Sequence, residues 1–240
     1  MIPAAQSEST IMSSVLPNIT LDSGANPQYS IIWLHGLGAD GSDFVPIAEQ
    51  LALPAAVRYI FPHAPLRPVT INGGYVMRAW YDILSGAASA EISASIGKQE
   101  DAAGIRAAQA EIEKLIAQEK QRGIAASHIF LAGFSQGGAV ALHTGLRHRE
   151  KLGGILALST YLPLAVATPA EASKVARQTP IFMAHGIGDP VIPRSLGKVS
   201  AENLLQNGYV LDWHDYNMPH SVCPEEVDDI GRWLSRQMAG

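Results

Sequence analysis

The chain alternates between short apolar runs and longer segments in which apolar residues recur at helical spacing. Runs of the first kind predict buried β-strands, and segments of the second kind predict helices with one buried face. The predicted strands cover residues 29–34, 57–61, 128–134, 153–159, 181–185 and 209–216. The predicted helices cover residues 40–51, 100–122, 138–148, 194–206 and 224–238, and residues 170–178 form a short helix or a loop.

This alternation favours an α/β fold with one mainly parallel sheet that helices cover on both faces. No internal repeat and no linker-like boundary interrupts the pattern, and a length of 240 residues suits a single domain of this class. We therefore expect one domain over residues 21–240, preceded by a flexible leader at residues 1–20.

One segment departs from the alternation. Residues 69–71 and 75–77 flank Asn72-Gly73-Gly74, a pattern that predicts a β-hairpin. Such a hairpin lies over the rim of the main sheet, where it either walls a substrate cleft or forms a surface ribbon that a tryptophan anchors in the core. The small and polar residues 85–95 that follow predict a loop.

Composition and charge narrow the classes of function. Charged residues make up 16% of the chain and the net charge is −5, so nucleic acid is not an expected partner. A single cysteine excludes an intramolecular disulfide and a cysteine-based zinc cluster. Residues 1–17 lack the features of a secretory signal, and no apolar run approaches the roughly 20 residues of a membrane span. We therefore expect a cytoplasmic protein that is not an integral membrane protein.

The strand at residues 128–134 leads into Gly133-Phe134-Ser135-Gln136-Gly137, and a helical pattern follows directly. A strand, a Gly-x-Ser-x-Gly turn and a helix are the parts of a nucleophile elbow, in which the serine lies on the tip of the turn. The first turn of the helix leaves backbone N–H groups free. We therefore predict that Ser135 attacks a carbonyl carbon and that the amide of Gln136 receives the oxyanion.

A second glycine-containing loop, His35-Gly36-Leu37-Gly38, directly follows the strand at residues 29–34. In serine hydrolases built on a parallel sheet, the loop after an early strand supplies the second oxyanion amide, and we favour the Leu37 N–H for this role. A plain turn between a strand and a helix is the alternative. We expect His35 to brace the loop through hydrogen bonds.

A serine nucleophile needs a base and an acid that orients the base. In a parallel sheet these groups lie on loops at the carboxyl ends of the strands. Asp189 follows the strand at residues 181–185, and His220 follows the strand at residues 209–216. The chain order Ser135, Asp189, His220 is that of the α/β-hydrolase plan, and these residues are the predicted nucleophile, acid and base.

The other candidate residues are expected to be structural or exposed. Asp40 and Asp43 lie near a predicted helix start, where carboxylates act as caps, and Asp212 and Asp215 lie within a predicted strand. Cys223 is expected to be a buried structural thiol. No spacing such as HExxH predicts a metal, and no cofactor is expected. The histidines expected to be structural or solvated are His63, His128, His143, His148, His185 and His214.

The chain contains six notable segments: HGLG (35–38), PHAPLRPVT (62–70), AWYDI (79–83), GFSQGG (133–138), HGIGDPVIP (185–193) and MPHSVCPEEV (218–227). In the same order, from about residue 29 to the C-terminus, they resemble the acyl-protein thioesterase and bacterial carboxylesterase group of the α/β hydrolases. The resemblance implies the α/β-hydrolase fold, and it implies the same nucleophile, acid, base and oxyanion amides that the residues themselves predict. It also places Trp80 beside an acyl groove, with Val191 near the same wall, and a homodimer is compatible with it.

These observations predict a serine carboxylesterase or thioesterase that works through an acyl-enzyme and without a cofactor. Its expected substrates are short- to medium-chain acyl esters or acylated-protein thioesters, because the residues near the predicted site are small and apolar. Two alternatives remain. One is a lysophospholipase or peptidase that uses the same residues on other substrates, and the other is a non-catalytic hydrolase-fold protein that binds a small ligand.

Overall fold

The strands and helices follow the predicted alternation. A computed structural model of the chain describes residues 15–84 and 100–239. Its strands are β1 (Asn18–Asp22), β2 (Tyr29–Leu34), β3 (Val57–Pro62), β4 (Leu66–Val69), β5 (Tyr75–Arg78), β6 (Ile129–Phe134), β7 (Gly154–Leu158), β8 (Ile181–Gly186) and β9 (Leu211–Tyr216). Its α-helices are α1 (Val45–Gln50), α2 (Ala102–Gln121), α3 (Gln136–Arg147), α4 (Thr168–Glu171), α5 (Arg194–Gln206) and α6 (Pro224–Met238).

The main sheet has seven strands in the order β1-β3-β2-β6-β7-β8-β9. The neighbouring strands from β3 to β9 pair in parallel, and β1 runs antiparallel to β3. The carboxyl ends of β2, β6, β8 and β9 therefore meet at one edge of the sheet. The loops after these strands carry the predicted catalytic groups. The predicted α/β class and mainly parallel sheet are confirmed.

The sheet separates two hydrophobic cores. Along β2, Ile31 and Trp33 face the core that α1 and α6 cover, whereas Ile32 and Leu34 face the core that α2, α3 and α5 cover. Successive side chains of a strand point to opposite faces, so a strand that is buried on both faces is apolar throughout. The central strands are therefore apolar along their whole length, which makes them recognisable in the sequence. Helices cover both faces of the sheet, as predicted.

Helix α2 buries the apolar stripe that its sequence pattern predicts. The side chain of Asp101 caps its N-terminus, where Oδ1 accepts a hydrogen bond from the Gly104 N–H at 2.8 Å. Among the described residues, no helix combines the length and the apolar character needed to cross a bilayer. The buried stripe consists of Ile105, Ala108, Ile112, Leu115 and Ile116.

Strand β1 corrects the predicted extent of the leader, residues 1–20. The strand begins at Asn18 and pairs with β3, while Ile19 and Leu21 pack against the core under α1 and α6. Two alternating apolar residues are too short a pattern to predict a strand, and the pairing with β3 stabilises it instead. The sheet therefore starts within the predicted leader. Residues 1–14 lie outside the described residues, as does the predicted loop at residues 85–95.

Helix α1 begins at Val45, later than the predicted start at residue 40. Asp40 Oδ1 accepts hydrogen bonds from the backbone N–H of Ser42 at 2.8 Å and from its hydroxyl at 2.6 Å. Such side-chain bonds give the backbone an alternative to the helix, and Pro46 then occupies the first turn of α1. Asp40 therefore stabilises the turn before the helix rather than capping the helix itself.

Strands β4 and β5 form the predicted hairpin as a separate antiparallel sheet. Its first strand is Leu66–Val69 rather than residues 69–71, because Thr70–Asn72 forms a 3₁₀ turn. Gly73 and Gly74 follow with φ of 65° and 80°, values that glycine adopts without strain. The glycines therefore mark the turn, whereas the strand before it begins earlier than the pattern indicates.

The hairpin is attached to the carboxyl edge of the main sheet. The backbone N–H of Gly38, in the loop after β2, donates to the carbonyl of Arg78 at 2.9 Å. Arg78 Nη1 donates in turn to the carbonyl of Ala64, also at 2.9 Å. These bonds place the hairpin at the rim of the predicted site, as the sequence indicates.

Candidate active site

Ser135 lies on a strained turn between β6 and α3. Its backbone φ of 54° and ψ of −121° lie outside the regions that residues with a side chain favour, a conformation that costs about 1–3 kcal/mol. Two hydrogen bonds hold the turn: Ser135 N donates to the carbonyl of Leu158 at 2.9 Å, and Thr160 Oγ1 donates to the carbonyl of Ser135 at 2.7 Å. The strand, the strained turn and the helix together have the geometry of a nucleophile elbow.

Close backbone contacts require the two glycines of the Gly-x-Ser-x-Gly motif. A Cβ atom on Gly133 would collide with the carbonyl of Gly137, and a Cβ atom on Gly137 would collide with the carbonyls of Leu34 and His35. Only residues without a side chain allow this approach. The elbow therefore packs directly on the chain as it leaves β2, which is the chain that carries the second predicted oxyanion amide.

The structure brings the predicted acid and base into contact. His220 Nδ1 lies 2.7 Å from Asp189 Oδ2, while the amides of Val191 and Ile192 donate to Asp189 Oδ1 at 2.8 and 2.9 Å. An ionised carboxylate only accepts hydrogen bonds, so the imidazole carries its proton on Nδ1 and leaves Nε2 as the free base. The Asp189 side chain is 0% exposed and that of His220 is 15% exposed, so the pair opens to solvent at the imidazole.

The hydrogen bonds to Asp189 also determine its ionisation. Burial by itself would raise the pKa of Asp189, but contacts from His185, His220 and the amides of Ile192 and Val191 outweigh this effect. They hold the pKa of the carboxyl group well below its usual range. Asp189 is therefore negatively charged at neutral pH and can balance the charge of a protonated imidazole.

His185 contacts the acid, although the sequence predicts only a structural or solvated histidine there. Its Nε2 atom lies 2.8 Å from the carbonyl of Ile192 and 3.4 Å from Asp189 Oδ2. The shorter contact receives the proton, so His185 mainly fixes the loop that carries the acid. The sequence signal for this contact is the position of His185 near the carboxyl end of β8, just before that loop. Side chains at the carboxyl end of a strand reach the loop that follows.

Phe134 places the imidazole of His220 beside the elbow. The centroids of the two rings are 4.6 Å apart and the rings are tilted by 45°, and Phe134 directly precedes Ser135. Within the described part of the chain, neither Ser135 Oγ nor His220 Nε2 makes a hydrogen bond. In enzymes without bound substrate this contact is often long and shortens when substrate binds. The predicted acid therefore contacts the predicted base directly, and ring packing on Phe134 holds that base next to the turn that carries Ser135.

The two predicted oxyanion amides are free. The backbone N–H groups of Leu37 and Gln136 have no hydrogen-bond acceptor among residues 15–84 and 100–239. The loop after β2 lies against the elbow, since a Cβ atom on Gly36 would be 3.6 Å from the Cβ of Ser135. Unpaired backbone N–H groups beside a nucleophile are what an oxyanion hole needs.

His35 braces the loop after β2, as the sequence predicts. Its Nδ1 donates to the carbonyl of Gly36 at 2.7 Å, and its Nε2 accepts from the N–H of Ala64 at 3.1 Å. One donating and one accepting nitrogen are the pattern of a neutral ring. Burial lowers the pKa of His35, which favours the same neutral form.

The two predicted groove residues differ in exposure. Val191 is 52% exposed, and its amide donates to the carboxylate of Asp189. Trp80 is 1% exposed, and its indole Nε1 donates to the carbonyl of His35 at 2.9 Å. Trp80 therefore supports the loop after β2 from inside the fold, and of the two residues only Val191 faces solvent.

The rival residues take no part in this arrangement. Asp215 forms a bidentate ion pair with Arg194, whose Nε and Nη2 each donate to one carboxylate oxygen at 2.6 Å. Asp212 Oδ2 accepts a hydrogen bond from Trp233 Nε1 at 3.0 Å. Cys223 is a half-buried free thiol. Across the described residues, no group of three or more His, Cys, Asp or Glu side chains is arranged to hold a metal ion.

Similar sequences identify the family. The model of the Phospholipase/Carboxylesterase family matches residues 19–238 of this chain. Acyl-protein thioesterase 1 of Neurospora crassa is 39% identical over 228 residues, and the alignment covers 92% of this chain and 92% of that protein. The family match begins at residue 19, within strand β1, and this strand itself begins inside the leader that the sequence pattern predicts.

Solved structures show the same fold. Arabidopsis thaliana SOBER1 is 30% identical with a TM-score of 0.80, and the match covers 88% of this chain and 99% of that one. Zea mays acyl-protein thioesterase 2 is 28% identical with a TM-score of 0.80, and the match covers 93% and 99% of the two chains. The predicted resemblance and the predicted α/β-hydrolase fold are confirmed. The chain therefore belongs to the phospholipase/carboxylesterase family and is a hydrolase of carboxylic esters.

Proposed function

We propose that this protein is a serine carboxylesterase or thioesterase that hydrolyses short- to medium-chain acyl (thio)esters through an acyl-enzyme. The observation that carries the proposal is the 2.7 Å contact between His220 Nδ1 and Asp189 Oδ2, on the edge of the sheet where the strained Ser135 also lies. A hydroxyl on an elbow, an oriented base and an ionised acid are the parts that acyl transfer by serine requires.

The first half-reaction forms the acyl-enzyme. His220 Nε2 takes the proton of the Ser135 hydroxyl while Oγ forms a bond to the acyl carbonyl carbon. The carbonyl electron pair moves to oxygen, and the N–H groups of Leu37 and Gln136 bind the resulting oxyanion. Collapse of this intermediate breaks the bond from carbon to the leaving oxygen or sulfur, and His220 gives its proton to the leaving alcohol or thiol.

The second half-reaction releases the acyl group. His220 takes a proton from water as the water oxygen forms a bond to the acyl carbon, and the same amides bind the second oxyanion. The bond to Ser135 Oγ then breaks, His220 returns a proton to the serine, and the acyl group leaves as a carboxylic acid. Asp189 stays ionised throughout, where it holds the proton on Nδ1 and balances the imidazolium charge.

Apolar surface near the site supports an acyl substrate. Ile187 and Val191, on the loop that carries the acid, are 59% and 52% exposed, and Tyr75 and Val76, on the hairpin, are 69% and 56% exposed. Exposed apolar patches commonly mark binding sites for apolar groups. The Neurospora crassa and Zea mays relatives are named acyl-protein thioesterases, which favours thioesters of acylated proteins among the substrates.

A fluorophosphonate probe tests the proposal, because it reacts with an activated serine. We expect labelling of the native protein and of Ser127→Ala, an exposed serine that serves as the control, and no labelling of Ser135→Ala. Failure to label the native protein would favour the non-catalytic ligand-binding alternative. Rates on esters and thioesters of increasing chain length, beside a lysophospholipid and a peptide, then identify the substrate class.

The assembly and location of the protein belong to the same proposal. The homodimer that the family resemblance allows is tested by size-exclusion chromatography with light scattering. The expected cytoplasmic location is tested by imaging the tagged protein in cells.

A further inference from the structure

We infer that the side chains of Gln136 and Trp80 are positioning residues that set the two proposed oxyanion amides, those of Leu37 and Gln136, at their working separation. The inference rests on the proposed function, since it concerns the same oxyanion hole. It gives the Gln136 side chain a task that is distinct from that of its backbone N–H group.

The side-chain amide of Gln136 is buried and paired at both ends. Its Oε1 accepts a hydrogen bond from the backbone N–H of Trp80 at 2.9 Å, and its Nε2 donates to the carbonyl of Tyr81 at 2.8 Å. Gln136 is only 2% exposed, so water does not compete for these bonds. A buried amide with both its oxygen and its nitrogen paired holds one orientation. The first residue of α3 is thereby attached to the segment that follows the hairpin.

The same segment holds the loop that carries Leu37. The indole Nε1 of Trp80 donates to the carbonyl of His35 at 2.9 Å, and the Trp80 ring lies 5.3 Å from the imidazole of His35. That carbonyl belongs to the peptide unit directly before the one that contains the Leu37 N–H. The indole therefore limits rotation of the peptide units that direct this amide.

A further bond holds the loop on the other side of Leu37. The N–H of Gly38 donates to the carbonyl of Arg78 at 2.9 Å, and Arg78 ends strand β5. Residues 78–81 therefore contact the chain before and after Leu37 and also contact the side chain of Gln136. The two proposed oxyanion amides come from elements that are distant in sequence, and this short segment is their shared support.

The oxyanion forms only in the transition state and in the tetrahedral intermediates. Loss of position at its donors should therefore lower kcat with little effect on KM. Removing one donor outright in such a site costs about 10²–10³-fold in kcat. Displacing a donor that is still present should cost less, and we expect a fall of about 10- to 100-fold.

The test compares Gln136→Met and Trp80→Phe with the native enzyme. Gln136→Met keeps the backbone N–H and the length of the side chain but removes both of its hydrogen bonds. Trp80→Phe keeps an aromatic ring but removes the indole donor together with part of the buried ring volume, so the thermal midpoint is needed to separate the two effects. Gln118→Met, on the exposed face of α2, is the matched control. The measurements are kcat and KM on one short acyl ester, the thermal midpoint, and the inhibition constant of an alkyl trifluoromethyl ketone, which adds to the serine and forms an oxyanion.

We expect Gln136→Met to lower kcat by about 10- to 100-fold with KM within about twofold. We also expect it to raise the inhibition constant of the trifluoromethyl ketone by a similar factor. Trp80→Phe should do the same to a smaller extent, and Gln118→Met should match the native enzyme. The two effects should be less than additive in the double variant, because both side chains act on the same pair of amides. A merely structural role would lower the thermal midpoint without this matched loss of kcat and of ketone affinity.

A folded Gln136→Met variant with native kcat, or with a raised KM and native kcat, would overturn the inference. If that variant does not fold, Trp80→Phe decides by the same criteria. The Ser135→Ala variant distinguishes failure of the proposed function, because retained activity in it would show that Ser135 is not the nucleophile. Loss of activity in Ser135→Ala with native kcat in folded Gln136→Met would overturn only the positioning role.

Discussion

The carboxylate of Asp189 lies between two histidines, His220 and His185. His220 Nδ1 is 2.7 Å from Asp189 Oδ2, and His185 Nε2 is 3.4 Å from the same oxygen. The two rings differ in surroundings, because the side chain of His220 is 15% exposed and that of His185 is 0% exposed. The acid therefore meets the proposed base on its open side, while on its closed side a buried histidine holds the loop that carries it.

Replacing the acid by its neutral isostere tests its role. In Asp189→Asn the amide can donate to His220 Nδ1, which favours the wrong tautomer of the base, and we expect kcat to fall by roughly 10⁴-fold. Asp215→Asn is the matched control, since Asp215 pairs with Arg194 at the surface, and its kcat should be native. Steady-state kinetics on one ester measures both variants. Normal turnover in Asp189→Asn would show that Asp189 is not the acid that orients His220.

His185 offers a second test of the acid loop. His185→Leu removes the donor to the Ile192 carbonyl, and an unpaired buried carbonyl should lower the free energy of unfolding by about 1–3 kcal/mol. We also expect kcat to fall about tenfold, because the loop no longer holds Asp189 in one position. His185→Gln retains a side-chain N–H donor and should recover part of both losses. Native kcat in folded His185→Leu would show that the loop keeps its shape without this histidine.

Glu226 should make stability depend on pH. It is 0% exposed, and neither carboxyl oxygen makes a hydrogen bond within the described structure. Burial raises the pKa of Glu226 to about 8, and the nearby Cys223 amide, outside good hydrogen-bonding geometry, offsets only part of this. Since the folded state then holds a proton that an unfolded glutamate releases near its ordinary pKa of 4.5, stability should fall as the pH rises from there to about 8.

Removing the charge at this position should reverse that loss. We expect Glu226→Gln to raise the free energy of unfolding by roughly 2–4 kcal/mol at about pH 9, with a smaller gain at about pH 5. Urea unfolding at several pH values measures the difference. Glu225→Gln, an exposed neighbour in the same turn of α6, should show no such increase with pH. A difference between Glu226→Gln and the native protein that stays constant with pH would contradict the assignment.

The elbow glycine should tolerate no side chain. Gly137→Ala introduces a Cβ atom that collides with the carbonyls of Leu34 and His35, and the backbone cannot yield without moving β2. We expect a loss of more than about 4 kcal/mol of unfolding free energy, or no folded protein. In Gly231→Ala, within α6, the new Cβ would meet Leu51 at an ordinary distance of 3.6 Å. The free energy of unfolding of that control should rise by roughly 0.5–1 kcal/mol, because alanine loses less backbone entropy than glycine when a helix forms. Equal stability of the two variants would show that the elbow can relax.

Sequence patterns predicted most of the fold because the determining contacts are local or repeat regularly. Central strands are apolar throughout, since both of their faces are buried, and helix α2 shows an apolar stripe at helical spacing. The patterns failed where tertiary contacts compensate for a weak local signal. Strand β1 exists because it pairs with β3, and the start of α1 moves because Asp40 bonds to Ser42.

By itself, the sequence determined the class of fold, the elbow at Ser135 and the loops that carry Asp189 and His220. These features follow from local sequence patterns: the elbow from a turn bounded by glycines, and the loops from the order of the strands along the chain. Only the tertiary structure decided that His185 contacts the acid, and that Trp80 and Gln136, 56 residues apart in the chain, are hydrogen-bonded to each other. These contacts depend on the direction of each side chain after distant segments have packed, and no local pattern of residues encodes that direction.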